Sequence, residues 1–216
     1  MRDVVWCLVG AALGLRSLGL ARRDIALLRT AGTTWGTAHL GDARLAPVLA
    51  ASAGGWLWWS LSIRFDSDAT VLVFGLWSAA LLRLMVIDVD THVLPRSTTV
   101  ASTLLTAAGL VSVSVSTGNG DISSMFLGGF VMWTVMKLLE IASRGDLGGG
   151  DVTLAPLLGV AAGWLSFDRV ATVLVSAFAL GGVTAVVLLA LRRVHRRSFL
   201  AFGPFLIVGG FIGVLR

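Results

Sequence analysis

The chain has 216 residues, of which 56% are hydrophobic and only 13% are charged, and its formal net charge is +5. Soluble globular domains carry about 25% charged residues. The composition therefore argues against a soluble enzyme, a disordered chain and a nucleic-acid-binding module, and it predicts a multi-pass membrane protein in contact with the lipid bilayer. The basic residues are then orientation signals and contacts to anionic headgroups.

Eight apolar segments predict an all-α, polytopic transmembrane helical bundle, because a spanning helix needs about 20 mostly apolar residues. We predict one membrane-embedded domain over residues 1–216, in which the sixth helix is short and the one long connection, 21–45, is a cytoplasmic loop. The predicted helices are Val4–Leu20, Ala46–Ile63, Ala69–Ile87, Ser97–Thr117, Ile122–Ala142, Val152–Phe167, Val170–Leu191 and Phe199–Leu215.

The distribution of Lys and Arg predicts the orientation, since cytoplasmic loops carry an excess of them. With the N-terminus outside, eleven Arg residues fall on the cytoplasmic side, and Arg83 and Lys137 lie within helices nearer that side. The outer side receives only four: Arg2, Arg64, Arg169 and Arg216. With eight helices, we expect an N-out, C-out topology.

Acidic residues form two clusters on one predicted membrane face. Asp88 and Asp90 lie at the end of the third helix, and Asp151 lies at the start of the sixth, 63 residues after Asp88. Two crossings between them return the chain to the side it left. Two facing carboxyls share a proton, since like charges a few Å apart cannot both ionise. One then serves as general base for water and the other as general acid, as in an aspartic-protease dyad.

Each element of this pattern also has a purely structural interpretation. Asp88 and Asp90 are suited to cap a helix end in the headgroup region, and Pro95 is typical of a helix start. Residues 148–150 are typical of a flexible glycine turn, with Asp151 as the N-cap of the sixth helix.

Together the two motifs resemble the type IV prepilin peptidase family, the GxGD-type intramembrane aspartic proteases. The first motif is IDVDTHVLP (87–95), in which Asp88 stands seven residues before Pro95 and a hydrophobic residue precedes that proline. The second is GGGDV (148–152), followed by a helix rich in small residues. The resemblance is specific over about residues 80–164.

The resemblance implies that Asp88 and Asp151 are the catalytic pair, with Asp88 preferred to Asp90 by its distance to Pro95. It implies that Gly148 and Gly150 permit an irregular backbone that presents Asp151 and lets the substrate approach closely. The implied activity is cleavage of the basic leader from prepilin or pseudopilin precursors at the cytoplasmic face of the cell membrane. No cofactor is implied.

The sequence departs from the family pattern in three respects. Thr153 stands where Lys is usual, Arg96 stands where Asp or Asn is frequent, and segment 21–45 lacks the paired cysteines found in many bacterial members. Tetrahedral zinc sites are normally built from Cys and His, and the chain has one cysteine, Cys7. We therefore expect a peptidase with no metal site and no cysteine-rich methyltransferase segment.

Two other functions remain open on the sequence. Carboxylates within a membrane also mark proton relays, so a proton-coupled transporter or channel is the first alternative, although transport sites usually lie at the bilayer midplane. The second alternative is an inactive scaffold of a pilus or secretion machine, which the departures at Thr153 and Arg96 favour. The oligomeric state is not indicated.

Overall fold

A computed structural model describes residues 1–32, 44–143, 148–191 and 202–216, and these residues form helices and no strand. The all-α prediction is thereby confirmed, with eight helices in the part of the chain described. They are α1 (Arg2–Thr30), α2 (Ala46–Arg64), α3 (Asp68–Thr91), α4 (Arg96–Thr117), α5 (Ile122–Ala142), α6 (Gly149–Leu165), α7 (Phe167–Ala190) and α8 (Gly203–Leu215).

Five of these helices, α1, α3, α4, α5 and α7, are long and apolar enough to cross a membrane, and α6 and α8 are shorter apolar helices. Large apolar side chains on them are exposed, including Val115 at 79%, Leu105 at 74% and Val175 at 69%. Such surfaces need an apolar surrounding. The chain is thus a multi-pass helical membrane protein, and its N-out, C-out orientation stays a prediction.

The predicted loop over 21–45 begins too early, because α1 continues to Thr30. Charged residues at 22–24 interrupt the apolar run and hide the continuing helix. Ala21 and Ile25 are nevertheless buried in a cluster with Ile87 of α3, and this packing holds the last turns of α1 in helical form. The central part of the predicted loop, 33–43, lies outside the described residues.

The chain divides into two compact units, Met1–Asn119 and Gly120–Val214. The first contains α1 to α4. Helices α1 and α2 pack with their backbones in contact, since a Cβ added to Gly14 would overlap the carbonyl oxygen of Ala50 and one added to Gly54 would overlap that of Gly10. Beside this pair, α3 contributes Phe74 to a fully buried core. The prediction of one domain over 1–216 stays a prediction.

The second unit contains α5 to α8, and its closest helix pair is α5 and α6. A Cβ on Gly159 would overlap the carbonyl oxygen of Gly128, and one on Gly163 would overlap that of Ser124. Asp121 caps α5 by accepting hydrogen bonds from the N–H and the hydroxyl of Ser124. Close packing of small residues is the main source of helix association in lipid, where the hydrophobic effect does not drive it.

Helix α4 carries many hydroxyl side chains for a helix with so few buried positions. Thr103 donates to the carbonyl of Thr99, Ser112 to that of Ala108, and Thr117 to that of Val113, at 2.8–2.9 Å. These bonds stay within the helix. Helix α4 therefore packs against its unit mainly through Thr99, Thr106, Leu110 and Val113, the four residues that it buries.

Candidate active site

The first predicted motif lies in the last turn of α3, and both of its carboxyl groups are inside the protein. Asp88 is 5% exposed and Asp90 is 1% exposed. Asp90 follows Asp88 by two residues, which corresponds to a rotation of about 200° around the helix axis. The two side chains therefore leave α3 on opposite sides. Within the described part of the chain, the buried Oδ2 atom of Asp88 has no hydrogen-bond partner. Unpartnered buried oxygens are uncommon.

The chain leaves α3 through a fixed turn. His92 adopts the left-handed conformation, with φ 56° and ψ 26°, and its N–H donates to the carbonyl of Asp88 at 2.8 Å. The buried Thr91 hydroxyl donates to the carbonyl of Ile87 at 2.7 Å and accepts from the N–H of Val93 at 3.3 Å. A histidine does not indicate a left-handed residue here, because Gly or Asn usually occupies this position.

Pro95 is the N-cap residue of α4, so the interpretation as a helix start is confirmed. Its carbonyl accepts from both the N–H and the hydroxyl of the buried Thr99, each at 3.1 Å. The connection from α3 to α4 is therefore short and held at both ends. Asp88, Asp90 and Pro95 thus lie in one continuous, hydrogen-bonded motif within the first unit.

The second motif begins α6, and the N-cap interpretation of Asp151 is wrong. Gly148 is the N-cap, and Asp151 is the third helical residue, with its N–H donating to the carbonyl of Gly148 at 3.0 Å. The expected irregular backbone is also absent from this motif: Gly148 has φ −65°, and Gly150 lies inside the helix. Three consecutive glycines obscured the helix start, since Gly disfavours a helix interior and Asp is a preferred N-cap residue.

Asp151 is 7% exposed, and its carboxyl lies next to the backbone of Gly148. A Cβ added to Gly148 would be 3.8 Å from the Oδ2 atom of Asp151, so a larger residue would cover the carboxyl. Thr153 donates from its hydroxyl to the carbonyl of Gly150 at 2.8 Å. The side chain at this departure from the family pattern is thus bonded to its own helix.

An ion pair lies beside the start of α6. Lys137 Nζ and Glu140 Oε2 are 2.5 Å apart, and Glu140 Oε1 would be 3.3 Å from a Cβ added to Gly149. Residues 144–147 are outside the described residues. Among the residues that are described, no group of three or more His, Cys, Asp and Glu side chains is placed to hold a metal ion.

The site residues divide between the two units. Asp88, Asp90 and Pro95 belong to the first, and Gly148, Gly150 and Asp151 belong to the second. The catalytic and supporting roles expected for them stay predictions.

Sequence comparison identifies the class of protein that carries these features. The family model of the type IV leader peptidase family matches residues 72–188, which include both acidic motifs. The chain belongs to this family.

Several curated relatives are named prepilin leader peptidase/N-methyltransferase. The protein of Burkholderia pseudomallei is 31% identical over 168 residues, covering 76% of this chain and 52% of the relative. That of Pseudomonas aeruginosa is 27% identical over 79% of this chain and 57% of the relative. That of Pseudomonas putida is 32% identical over 68% of this chain and 50% of the relative. The chain thus spans about half the length of these relatives. No solved structure matches the chain.

Proposed function

We propose that the chain is an intramembrane aspartic endopeptidase that removes the basic leader peptide from prepilin or pseudopilin precursors. The observation that carries the proposal is the family match over 72–188, which contains two buried aspartates at helix ends. Asp88 and Asp151 are proposed as the catalytic pair, and the cytoplasmic membrane of the cell as the location.

The helix order supports a common membrane side for the two carboxyls. Asp88 ends α3 and Asp151 begins α6, and the two helices between them, α4 with 22 residues and α5 with 21, are each long enough to cross. An even number of crossings returns the chain to its starting side. With the N-terminus outside, that side is the cytoplasm.

The proposed reaction adds water across the scissile peptide bond. One carboxylate takes a proton from water as the water oxygen attacks the carbonyl carbon, and the other carboxyl, in its protonated form, donates to the carbonyl oxygen. Collapse of the tetrahedral intermediate breaks the C–N bond, and a carboxyl returns a proton to the leaving amine. The open backbone at Gly148 suits an extended substrate passing beside Asp151.

The test is processing of a pilin precursor by purified protein. Asp88→Asn and Asp151→Asn are each expected to abolish cleavage and to leave membrane insertion intact, whereas Asp90→Asn retains substantial activity. The readouts are the mobility of the precursor and the membrane fraction of each variant. Full activity of Asp151→Asn would contradict the peptidase proposal. Loss with Asp90→Asn and not with Asp88→Asn would assign the first catalytic role to Asp90.

We further propose that this chain does not methylate its product, although its curated relatives are named as N-methyltransferases as well. In many bacterial members of the family, a cytoplasmic segment with paired cysteines is linked to methylation. The sequence here has a single cysteine, Cys7, and it lies within α1. Mass measurement of the cleaved pilin N-terminus tests this directly. A product heavier by a methyl group, in a system lacking other methyltransferases, would refute it.

The proposed orientation has its own test. In a Cys7→Ser background, a cysteine introduced by Asn119→Cys in the turn between α4 and α5 is expected to react with a membrane-impermeant reagent added from outside. A cysteine introduced by Ser97→Cys, at the start of α4, is expected to be shielded from the same reagent. The reverse pattern would invert the topology.

A further inference from the structure

Helix α1 is longer than a membrane crossing requires. Its 29 residues give a helix of about 43 Å at 1.5 Å per residue, against a hydrocarbon core of about 30 Å. The last ten residues carry Arg22, Arg23, Asp24 and Arg29, which a lipid environment does not favour. Contacts with α3 explain why this part of α1 remains helical.

The contacts begin with an apolar cluster beside the first aspartate motif. Ala21 and Ile25 of α1 are 0% and 4% exposed, and they pack with Ile87 of α3, which is 0% exposed. Leu28 and Val86 cover the same cluster. Residues 21, 25 and 28 lie on one face of α1 by helical spacing. Ile87 directly precedes Asp88, so α1 contacts the turn of α3 that carries this aspartate.

An ion pair extends this contact. Arg83 lies four residues before Ile87 on the same face of α3, and its Nε and Nη2 atoms are 2.9 and 2.7 Å from Oδ2 of Asp24. The side chains are 24% and 20% exposed. Removing one member would leave a mostly buried charge without its partner, which a protein tolerates poorly. The pair therefore links α3 to α1 one turn before Ile87.

We propose that Asp24 and Arg83 are positioning residues for Asp88, a role that rests on the proposed peptidase function. They do not touch the substrate in this proposal. They hold the last turn of α3 through its backbone, and the position of the Asp88 carboxyl follows from that backbone. A displacement of about 1 Å at a reacting group is enough to cost about 100-fold in rate.

The test measures kcat and KM separately with a pilin precursor that the Pseudomonas aeruginosa relative cleaves. Arg83→Leu and Asp24→Asn are each expected to lower kcat by about 10-fold to 100-fold. KM should change by less than about threefold, since substrate binding is not removed. Arg83→Lys is expected to fall between these variants and the native chain, because one ammonium cannot reproduce the two-nitrogen contact.

Reversal of the pair separates positioning from a simple need for either charge. The double variant Asp24→Arg with Arg83→Asp restores an ion pair between α1 and α3. It is expected to bring kcat to within about threefold of the native value, as a coupled pair requires. A double variant as slow as the single ones would overturn the proposal.

A matched control lies at the other end of α1. Arg2 donates to the carbonyl oxygens of Asp66 and Ser62 at 2.8 and 2.5 Å, so it also ties α1 to its neighbours, far along the helix from Asp88. Arg2→Leu is expected to lower the thermal midpoint of unfolding while leaving kcat unchanged. Arg2→Leu and Arg83→Leu are compared at an equal loss of thermal midpoint. If kcat also falls equally in both, only stability is involved, and the proposal is overturned.

The two proposals fail in different ways. If the relative cleaves the precursor and the native chain does not, the peptidase function is wrong and the positioning role is lost with it. If the native chain cleaves and Arg83→Leu keeps its kcat, only the positioning role is wrong.

Discussion

In the first unit, α1 meets α2 backbone to backbone at Gly14 and Gly54, and in the second unit α5 meets α6 in the same manner at Gly128 and Gly159. The two units share this packing but present their aspartates differently. Asp88 ends a third helix that packs beside the glycine pair, whereas Asp151 begins a member of the pair itself. A helix N-terminus stabilises a negative charge and a C-terminus does not. The dipole of α6 therefore favours the charged form of Asp151, whereas the dipole of α3 disfavours that of Asp88.

The same glycine-to-backbone packing thus occurs with two different placements of a buried aspartate. One lies at the end of a neighbouring helix, and the other lies at the start of a helix of the packed pair. In the second unit, Asp151 lies in a helix that contacts α5 backbone to backbone. In the first unit, the turn that carries Asp88 contacts α1 through Ile87, and the Asp24–Arg83 pair also links α1 to α3. The following experiments test the shared packing first and then the differences.

The largest expected effect comes from replacing the glycines at the two helix contacts with alanine. Gly54→Ala and Gly159→Ala each place a methyl group where a backbone carbonyl oxygen lies, so the helices must move apart. Each is expected to lower the free energy of unfolding by about 1–3 kcal/mol. Denaturation in detergent micelles, followed by circular dichroism, measures the change.

The control variants are glycines with open space around them. A Cβ on Gly19 of α1 or on Gly182 of α7 would meet nothing within 4 Å. Gly19→Ala and Gly182→Ala are expected to be neutral or to stabilise by up to about 1 kcal/mol, from helix propensity alone. Equal behaviour of all four variants would show that backbone contact does not stabilise the α1–α2 pair or the α5–α6 pair.

A smaller effect is expected at the residues that flank the two aspartates. His92 has φ 56°, a conformation that costs most residues about 1–2 kcal/mol. After the greater unfolded-state entropy of glycine is subtracted, His92→Gly is expected to raise the free energy of unfolding by about 0.5–1 kcal/mol. The same denaturation measurement applies, and a destabilised His92→Gly variant would show that its side chain makes a necessary contact.

Gly148 is the counterpart in the second unit, and its φ of −65° suits any residue. Gly148→Ala is therefore expected to leave stability unchanged, since the new methyl group would lie at an ordinary contact distance from Asp151. A fall in precursor cleavage at unchanged stability would show that the substrate passes beside Gly148. A loss of stability would contradict the comparison of the two motifs.

The smallest effect concerns the caps of α3 and α5. Hydrogen bonds from the hydroxyl and N–H of Ser124 lower the pKa of the exposed Asp121 carboxyl below its usual value. A lowered folded-state pKa contributes stability above the usual carboxyl pKa, and this contribution is lost as the pH falls through the lowered value. Asp121→Ala is expected to lower the thermal midpoint of unfolding slightly at neutral pH and to match the native chain in acid.

The cap of α3 is the neutral control. Ser67 accepts from the N–H of Thr70 at 3.4 Å, and a hydroxyl does not titrate in this range. The difference between Ser67→Ala and the native chain is therefore expected to be independent of pH. A pH-dependent difference at Ser67 would show that the acid effect at Asp121 arises elsewhere in the protein.

The sequence predicted the number and order of helices well because apolar runs of membrane length leave few alternatives. Its errors fell where short-range signals conflict with long-range packing. The end of α1 was hidden by charged residues, one of which, Asp24, pairs with Arg83, 59 residues away in the sequence. The start of α6 was hidden by glycines, which favour a turn over a helix, although Gly149 and Gly150 are helical here.

The candidate site was accessible to sequence reasoning only as two motifs. The spacing of Asp88 to Pro95 and the GGGD segment predict the candidate residues, and the family match over 72–188 includes them. The left-handed backbone of His92 could not be foreseen, because no local preference of histidine requires it. The support of Asp88 by α1 depends on contacts between distant segments, which no spacing rule contains.

The hydroxyl groups of α4 have a consequence for how the first unit is assembled. Thr103, Ser112 and Thr117 donate to carbonyls of their own helix, so they do not require a partner on another helix while they are in lipid. Helix α4 can therefore enter the bilayer as an independent segment and join α3 afterwards. Insertion of α4 and its packing against α3 therefore do not depend on a hydrogen bond from these three hydroxyls to another helix.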